Sequence, residues 1–336
     1  MVLFVSAVVS SSGMEVAAAF AAWCAGLCIA ARTDVPRALA VLTSVSFVVL
    51  ILSRPISPFN AAAIAVVLAT SVGWNRSREI LRQRNARPIW IAGLLATLVA
   101  GSYILFVGLP SLLGSPENPP LSAAGAVWLT LRLTGQQLRQ SVGDFGWLDT
   151  PAPGWVVVIW TLVLVGLLAY ALVVSPRARR ALPLLAVAIL AMPVVFESPQ
   201  INSIGVYWQG RYWLPLLVGL PLVAASVRPR AISRRMFSDV HDQSLRLAGV
   251  AALGALLTAA QIAAFLTALH RYETGIGTKP GAAVEWTPPG GAPLVIGLFV
   301  AGQVLLVAFL GWEYFHRTSF LPVATSVPAS LEPVSS

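Results

Sequence analysis

Charge is what this chain has least of. Charged residues make up 10% of its 336 positions, against about 25% in ordinary soluble domains. With 57% of the residues hydrophobic, too few polar groups remain to clothe a folded surface in water, and lipid is the expected solvent. Thiols are nearly absent as well. Cys24 and Cys28 stand four apart inside one apolar stretch, which suits neither a disulfide framework nor a metal site needing three or four ligands. Packing is their expected use. The three histidines, His241, His270 and His316, are far apart in the chain and fall on both sides of the expected membrane. A histidine metal centre or a catalytic triad therefore has no basis. No Walker-type phosphate loop is present: Pro288-Pro289-Gly290-Gly291 lacks the following Lys-Ser/Thr and reads as a turn. No motif calls for a metal or other cofactor. Met1-Val2-Leu3-Phe4-Val5 has no basic residue, and Ser10-Ser11-Ser12-Gly13 interrupts the apolar run, so no cleavable signal peptide is read here.

What the chain does have is long apolar runs. A membrane helix needs about 20 mostly apolar residues, or about 17 when short, tilted or broken. On that criterion nine spans are expected after a partial one at residues 1–9: 15–31, 38–52, 56–73, 88–110, 154–174, 181–196, 212–227, 247–269 and 293–312. The fold class is all-α, a polytopic transmembrane helix bundle over 1–312, with 313–336 a Pro/Ser/Val-rich, disordered tail. The spans 38–52 and 181–196 are short and edged or interrupted by Pro36, Pro55, Pro183 and Pro193. Helices of that kind can stop short of the far surface only where protein or a water-filled cavity covers the loose backbone groups.

The basic residues set the orientation. Placing Glu15 outside puts sixteen of the twenty-two Lys+Arg residues in the inner gaps and after the last span, including Arg76, Arg82, Arg177 and Arg235. Only Arg54, Arg132, Arg139, Arg211, Arg271 and Lys279 are then outside. Short cytoplasmic loops carry the Lys/Arg excess, so the carboxyl terminus is expected in the cytoplasm. The net charge of +9 is read as this topology signal with some contact to anionic membrane lipid, and not as a nucleic-acid footprint.

The longest outer segment, 111–153, starts with a Pro/Gly-rich turn. It continues as a helical pattern with Leu121, Ala124, Trp128, Leu131, Leu138 and Val142 on one face and Arg132, Gln136, Arg139 and Gln140 on the other. This is the pattern of a helix lying flat in the outer interface, either guiding a lipid-linked substrate or plugging the bundle. Polar residues gather near the outer span ends in five stretches: Ser12-Gly13-Met14-Glu15, Ser53-Arg54-Pro55, Gly146-Trp147-Leu148-Asp149-Thr150-Pro151, Gln209-Gly210-Arg211-Tyr212-Trp213-Leu214-Pro215 and His270-Arg271-Tyr272. Arg54 and Arg211 with Glu15, Asp149 and Glu197 form either a polar outer cavity whose guanidinium forks suit phosphate or ion pairs that lock helix ends together. Within this set Arg54 is expected mainly to snorkel. Asp144 and Asp149 are a weak candidate pair for a divalent cation.

Taken in order, the Gly-Met-Glu turn, Ser-Arg-Pro, Gly-Trp-Leu-Asp-Thr-Pro and Gln-Gly-Arg-Tyr followed by Leu-Pro resemble the bacterial multi-pass family known as domain of unknown function 2142, over most of residues 1–290. That family is similar to integral-membrane glycosyltransferases that take sugars from polyprenyl-phosphate carriers at the outer face. The resemblance implies a bacterial inner-membrane protein of cell-envelope glycan assembly. It implies that Arg211 and Tyr212 face the carrier phosphate, and that Arg54, Asp149, Glu15 and Trp147 join the same substrate site. It also implies an amino-terminal loop with an Asp-Glu pair that is missing here, so a truncated chain or a separate amino-terminal membrane chain is expected, and catalytic residues stay unassigned. Two other readings stay open: a transporter or flippase for lipid-linked glycans, and a non-catalytic membrane scaffold.

Overall fold

The computed structural model describes residues 11–107, 120–145, 148–226, 240–277 and 281–319. The apolar runs become helices: α1 Ser11–Ala30, α2 Arg37–Ser53, α3 Ser57–Val72, α4 Trp74–Arg82 and α5 Arg87–Val107. The outer segment supplies α6 Ala123–Gly143, followed by a two-residue antiparallel pairing of β1 Asp144–Phe145 with β2 Thr150–Pro151. Next come α7 Gly154–Val174, α8 Pro176–Phe196, the single turn α9 Ile201–Ile204 and a 3-10 turn at Gly210–Trp213. The chain continues through α10 Leu214–Leu217, α11 Gly219–Ala225, α12 Val240–Thr274 and α13 Gly291–Ser319. An all-α fold is what hydropathy leads one to expect, and it is what forms.

Among the described residues, five helices are long and apolar enough to cross a membrane: Ser12–Ala30, Gly154–Val174, Pro176–Phe196, Ala248–Thr274 and Gly291–Glu313. A sixth is added if α3 and α4, bent by 113° at Gly73, count as one broken span. Gly73 supplies the left-handed backbone, φ 87, that such a bend needs. Three expectations change. The span anticipated at 181–196 begins at Pro176, because Ser175 caps it by accepting from the Ala178 N–H at 3.3 Å and Pro176 stands in the first turn. Pro183 and Pro193 lie inside it without ending it. The run at 212–227 is no continuous helix but a 3-10 turn and two short helices. The last helix continues to Ser319, into the stretch expected to be disordered. The partial first span and most of the Pro/Gly-rich turn lie outside the described residues.

The chain divides into two units, Met1–Leu247 and Ala248–Ser336. In the first, α1 packs against α2 and α3, α2 against α5, α3 against α8, and α11 closes against α7 and α8. Trp23, Leu50, Ile64, Leu185, Trp213 and Leu216 are the large apolar side chains at its centre. Gly219 lets α11 approach α1: a Cβ there would stand 2.4 Å from the Trp23 ring, and the indole N–H donates to Pro215 O at 3.0 Å. Outward faces such as Leu94, Leu95 and Leu98 on α5 and Leu162 and Val165 on α7 stay exposed, as lipid-facing positions should be. In the second unit Phe265 and Phe299 stack at 4.1 Å.

The first unit has two unlike ends. At one, the loop after α1 is stapled to the α4 region. Arg76 donates to Arg32 O and Thr33 O, Gln83 accepts from Val35 N–H at 2.9 Å, and Asn85 donates to Val35 O. Arg32, Arg37, Arg76, Arg78, Arg82, Arg84, Arg87, Arg177, Arg179 and Arg180 belong to this end. The other end, where α1 starts and α8 finishes, holds Arg54, Arg132, Arg139 and Arg211.

Candidate functional site

The arginine-poor end is built around a carboxylate. Glu15 lies in the second turn of α1 and is wholly buried. Its Oε1 accepts from Ser57 Oγ at 2.6 Å and from Asn60 Nδ2 at 3.1 Å. Ser57 and Asn60 are three apart at the start of α3, so they share one face. Arg54, in extended backbone between α2 and α3 (φ −155, ψ 158), turns its guanidinium inward. Its Nε stands 3.6 Å from Glu15 Oε2, and its Nη2 donates to Ser12 Oγ. The side chain is only 17% exposed. Arg54 therefore does not snorkel as anticipated: a buried carboxylate within reach offers the charge more than the surface does.

A tyrosine joins this pair to the second arginine. The Tyr212 ring lies 5.1 Å from the Arg54 guanidinium carbon and 5.7 Å from that of Arg211, within cation-π range of both. Trp208 meets Tyr212 and Trp213 edge-on at 5.6 and 6.1 Å. The segment carrying these rings is held from two sides. Glu197, wholly buried at the end of α8, accepts at Oε1 from the backbone N–H of Tyr207 at 3.0 Å and Trp208 at 2.7 Å. The Tyr207 hydroxyl donates to Phe196 O at 2.7 Å. Its pKa is pushed up to about 12, first by burial and then by the neighbouring Glu197 and Tyr212.

From the other side α6 clamps the turn. Gln137 Nε2 donates to Trp208 O at 3.3 Å, and Gly210 N–H donates to Gln140 Oε1 at 3.1 Å. Gly210 fits so closely that a Cβ would lie 2.4 Å from Ser141 N and 2.5 Å from Gln137 O. The face of α6 that docks is the small and polar one, Ala126, Thr130, Gln137 and Ser141, while Trp128 and Leu131 point outward. The free face of α6 is mixed, with Arg132, Gln136 and Arg139 exposed beside Trp128 and Leu131, and its docked face covers the turn at 208–210. Asn202 fixes its start by bonding both the N–H and C=O of Leu121.

Of the six expected substrate-site residues, the structure brings four together: Glu15, Arg54, Arg211 and Tyr212. Asp149 sits on the hairpin after α6, where its Oδ1 accepts from Thr150 Oγ1 at 2.8 Å. Burial pushes the carboxyl of its neighbour Asp144 above the usual range; Arg139 opposes this and Asp149 adds to it. Leu148, in the same turn, has φ 66, a conformation uncommon for a bulky side chain. Trp147 lies outside the described residues. His270, Arg271 and Tyr272 belong to the second unit. Among the described residues no three His, Cys, Asp or Glu side chains converge as metal ligands.

Sequence reading missed Ser57, Asn60, Gln137 and Gln140 as builders of this end. Ser57 and Asn60 carried a signal, two polar residues on one face of an otherwise apolar helix.

One further property marks this end. Nine buried side-chain atoms lack a hydrogen-bond partner among the described residues: Glu15 Oε2, Asn60 Oδ1, Gln137 Oε1, Asp144 Oδ1, Glu197 Oε2, Trp208 Nε1, Gln209 Oε1, Arg211 Nε and Trp213 Nε1. All belong to the elements just described.

The fold and this buried polar end define a multi-pass α-helical membrane protein. The chain belongs to the family described as predicted membrane protein (DUF2142), whose sequence model matches residues 1–220. The match takes in every element of the polar end from Ser12 to Trp213, and it stops short of residue 290, to which the motif resemblance reached. No curated protein and no solved structure matches the chain.

Proposed function

We propose that the polar end faces the outside of a bacterial inner membrane and binds the phosphate of a polyprenyl-phosphate-linked sugar, serving cell-envelope glycan assembly. The observation that carries this reading is the contrast between the two arginines on Tyr212. Arg54 is neutralised by Glu15. Arg211 is half-buried, has no carboxylate within ion-pair distance among the described residues, and leaves its Nε without an acceptor. A guanidinium so placed lacks an anion, and its planar fork matches phosphate. The arginine-rich opposite end supports the orientation.

The test is direct binding of a polyprenyl phosphate to the purified chain in nanodiscs. Arg211→Lys keeps the charge but loses the fork, so it should weaken binding nearly as much as Arg211→Ala. If wild type and Arg211→Ala bind alike, or neither binds, the phosphate reading fails and a scaffold role takes its place.

A further inference from the structure

We propose that the occupant of this end must bring hydroxyl groups as well as phosphate, and that Glu197 Oε2 is the principal acceptor for them. The inference rests on the phosphate reading and specifies what the phosphate must carry. Buried polar atoms in folded proteins are nearly always paired, and an unpaired one is costly, so a concentration of them at one end signals a missing partner. Their chemical sign says which. Three of the nine are N–H donors, on Trp208, Arg211 and Trp213. A phosphate, which accepts, would answer these. The remaining six are acceptor oxygens; Glu15 Oε2 faces Arg54 Nε at 3.6 Å, and the others include those of Glu197, Gln209 and Gln137. A phosphate, free or as a bare lipid headgroup, has nothing to give them and would be repelled by Glu197. Hydroxyls both donate and accept, so a polyhydroxylated ring fits this mixture where a bare anion does not.

Glu197 is the best-defined contact. It is wholly buried, and the backbone N–H groups of Tyr207 and Trp208 hold Oε1 at 3.0 and 2.7 Å. Two bonds to one oxygen fix the carboxylate plane and leave Oε2 as an oriented, unused acceptor. Trp208, whose amide binds Glu197, also carries one of the three unpartnered N–H donors on its indole.

The experiment uses the full chain in nanodiscs and two probes, a polyprenyl phosphate and the same lipid with a hexose on its phosphate. Wild type should bind the hexose-bearing lipid about tenfold or more tighter, as answering even one buried acceptor would give. Glu197→Gln can keep Oε1 on the two backbone N–H groups while turning the unused acceptor into a donor. It should therefore abolish the hexose preference, while polyprenyl phosphate binds no more weakly than to wild type because a repelling charge has been removed. Equal wild-type affinity for the two lipids would overturn the inference, with water answering the oxygens, and leave the phosphate reading standing. That comparison needs no variant. A preference that survives Glu197→Gln would overturn the role of Glu197. Binding of neither lipid would overturn the phosphate reading and this one with it.

Discussion

Removing Arg54 should destabilise the bundle far more than removing Arg54 and the charge of Glu15 together. Glu15 is wholly buried and its Oε2 faces Arg54 Nε at 3.6 Å. At that separation two unit charges attract by about 4–5 kcal/mol for an effective dielectric of 20. Most of this offsets the desolvation of the carboxylate and is not net stability. Taking away one partner, however, strands the other, and buried pairs broken in this way lose about 3–5 kcal/mol. Arg54→Met should fall at the lower end of that range, because the 17% exposure of the side chain gives the pair some contact with polar surroundings. Glu15→Gln should cost about 1–2 kcal/mol, since its amide oxygen can still accept from Ser57 and Asn60. The double variant should recover most of the Arg54→Met loss, leaving about 1–1.5 kcal/mol and so giving a coupling of about 3 kcal/mol. Reversible unfolding in mixed SDS micelles reads all four corners of this cycle. If the single losses simply add, the ion pair contributes nothing, and Arg54 acts through the Tyr212 ring and Ser12 alone.

Gly210→Ala should cost about 1–3 kcal/mol in the same assay, because the new methyl meets the backbone of α6 at Ser141 N and Gln137 O, which cannot move aside singly. Gly26→Ala should be near neutral: its Cβ meets only the flexible end of Leu68, and alanine favours the helix by about 1 kcal/mol. Equal losses at the two glycines would refute the close approach at Gly210. Asp144 gives a pH signature. Its carboxyl pKa is raised by burial in the folded hairpin, so the stability tied to its proton is present at low pH and is lost as pH rises through that raised value. Exchange of the Ala152 N–H, which donates to Gly143 O at 2.9 Å, should therefore accelerate across the mildly acidic range beyond its intrinsic pH dependence, and Asp144→Asn should flatten the effect. Orientation can be read from single cysteines beside Asp149 and Arg82 in a chain lacking Cys24 and Cys28. An impermeant thiol reagent applied to spheroplasts should label the first and spare the second, and the reverse pattern would invert the topology.

Helix positions were legible because hydropathy dictates them. The expected spans 15–31, 38–52 and 154–174 coincide with α1, α2 and α7 to within a few residues. Where proline and glycine cluster, the apolar content of 212–227 concealed a break that packing requires, since Gly219 must pass beneath Trp23 and Pro215 must present its carbonyl to the indole. At the site, the residue types were legible and their pairing was not. Arg54 looked like a residue able to reach water, and only the fold shows that Glu15 is nearer. Glu197 stood out as one carboxylate among several. Its capture by two backbone amides depends on the path of 205–209, which no periodicity encodes.

The pairing of Glu15 with Arg54 after α2 and with Ser57 and Asn60 on α3 also bears on the order in which the chain can enter the bilayer. An ionised residue near the centre of an isolated membrane helix costs roughly 3 kcal/mol on insertion scales, and less towards an end. Helix α1 carries Glu15, and the partners that quench it, Arg54, Ser57 and Asn60, are made some forty residues later. The six-residue loop 31–36 between α1 and α2 is short enough for the two helices to insert as a hairpin. A nascent chain cut before Arg54 should thus hold α1 in the membrane less firmly than one cut after Asn60. Trp23 receives Pro215 and Gly219 only when the seventh apolar run emerges. Helix α1, made before α2 to α11, is accordingly among the last of them to be fully packed, and the polar end closes only after nearly the whole first unit has been synthesised.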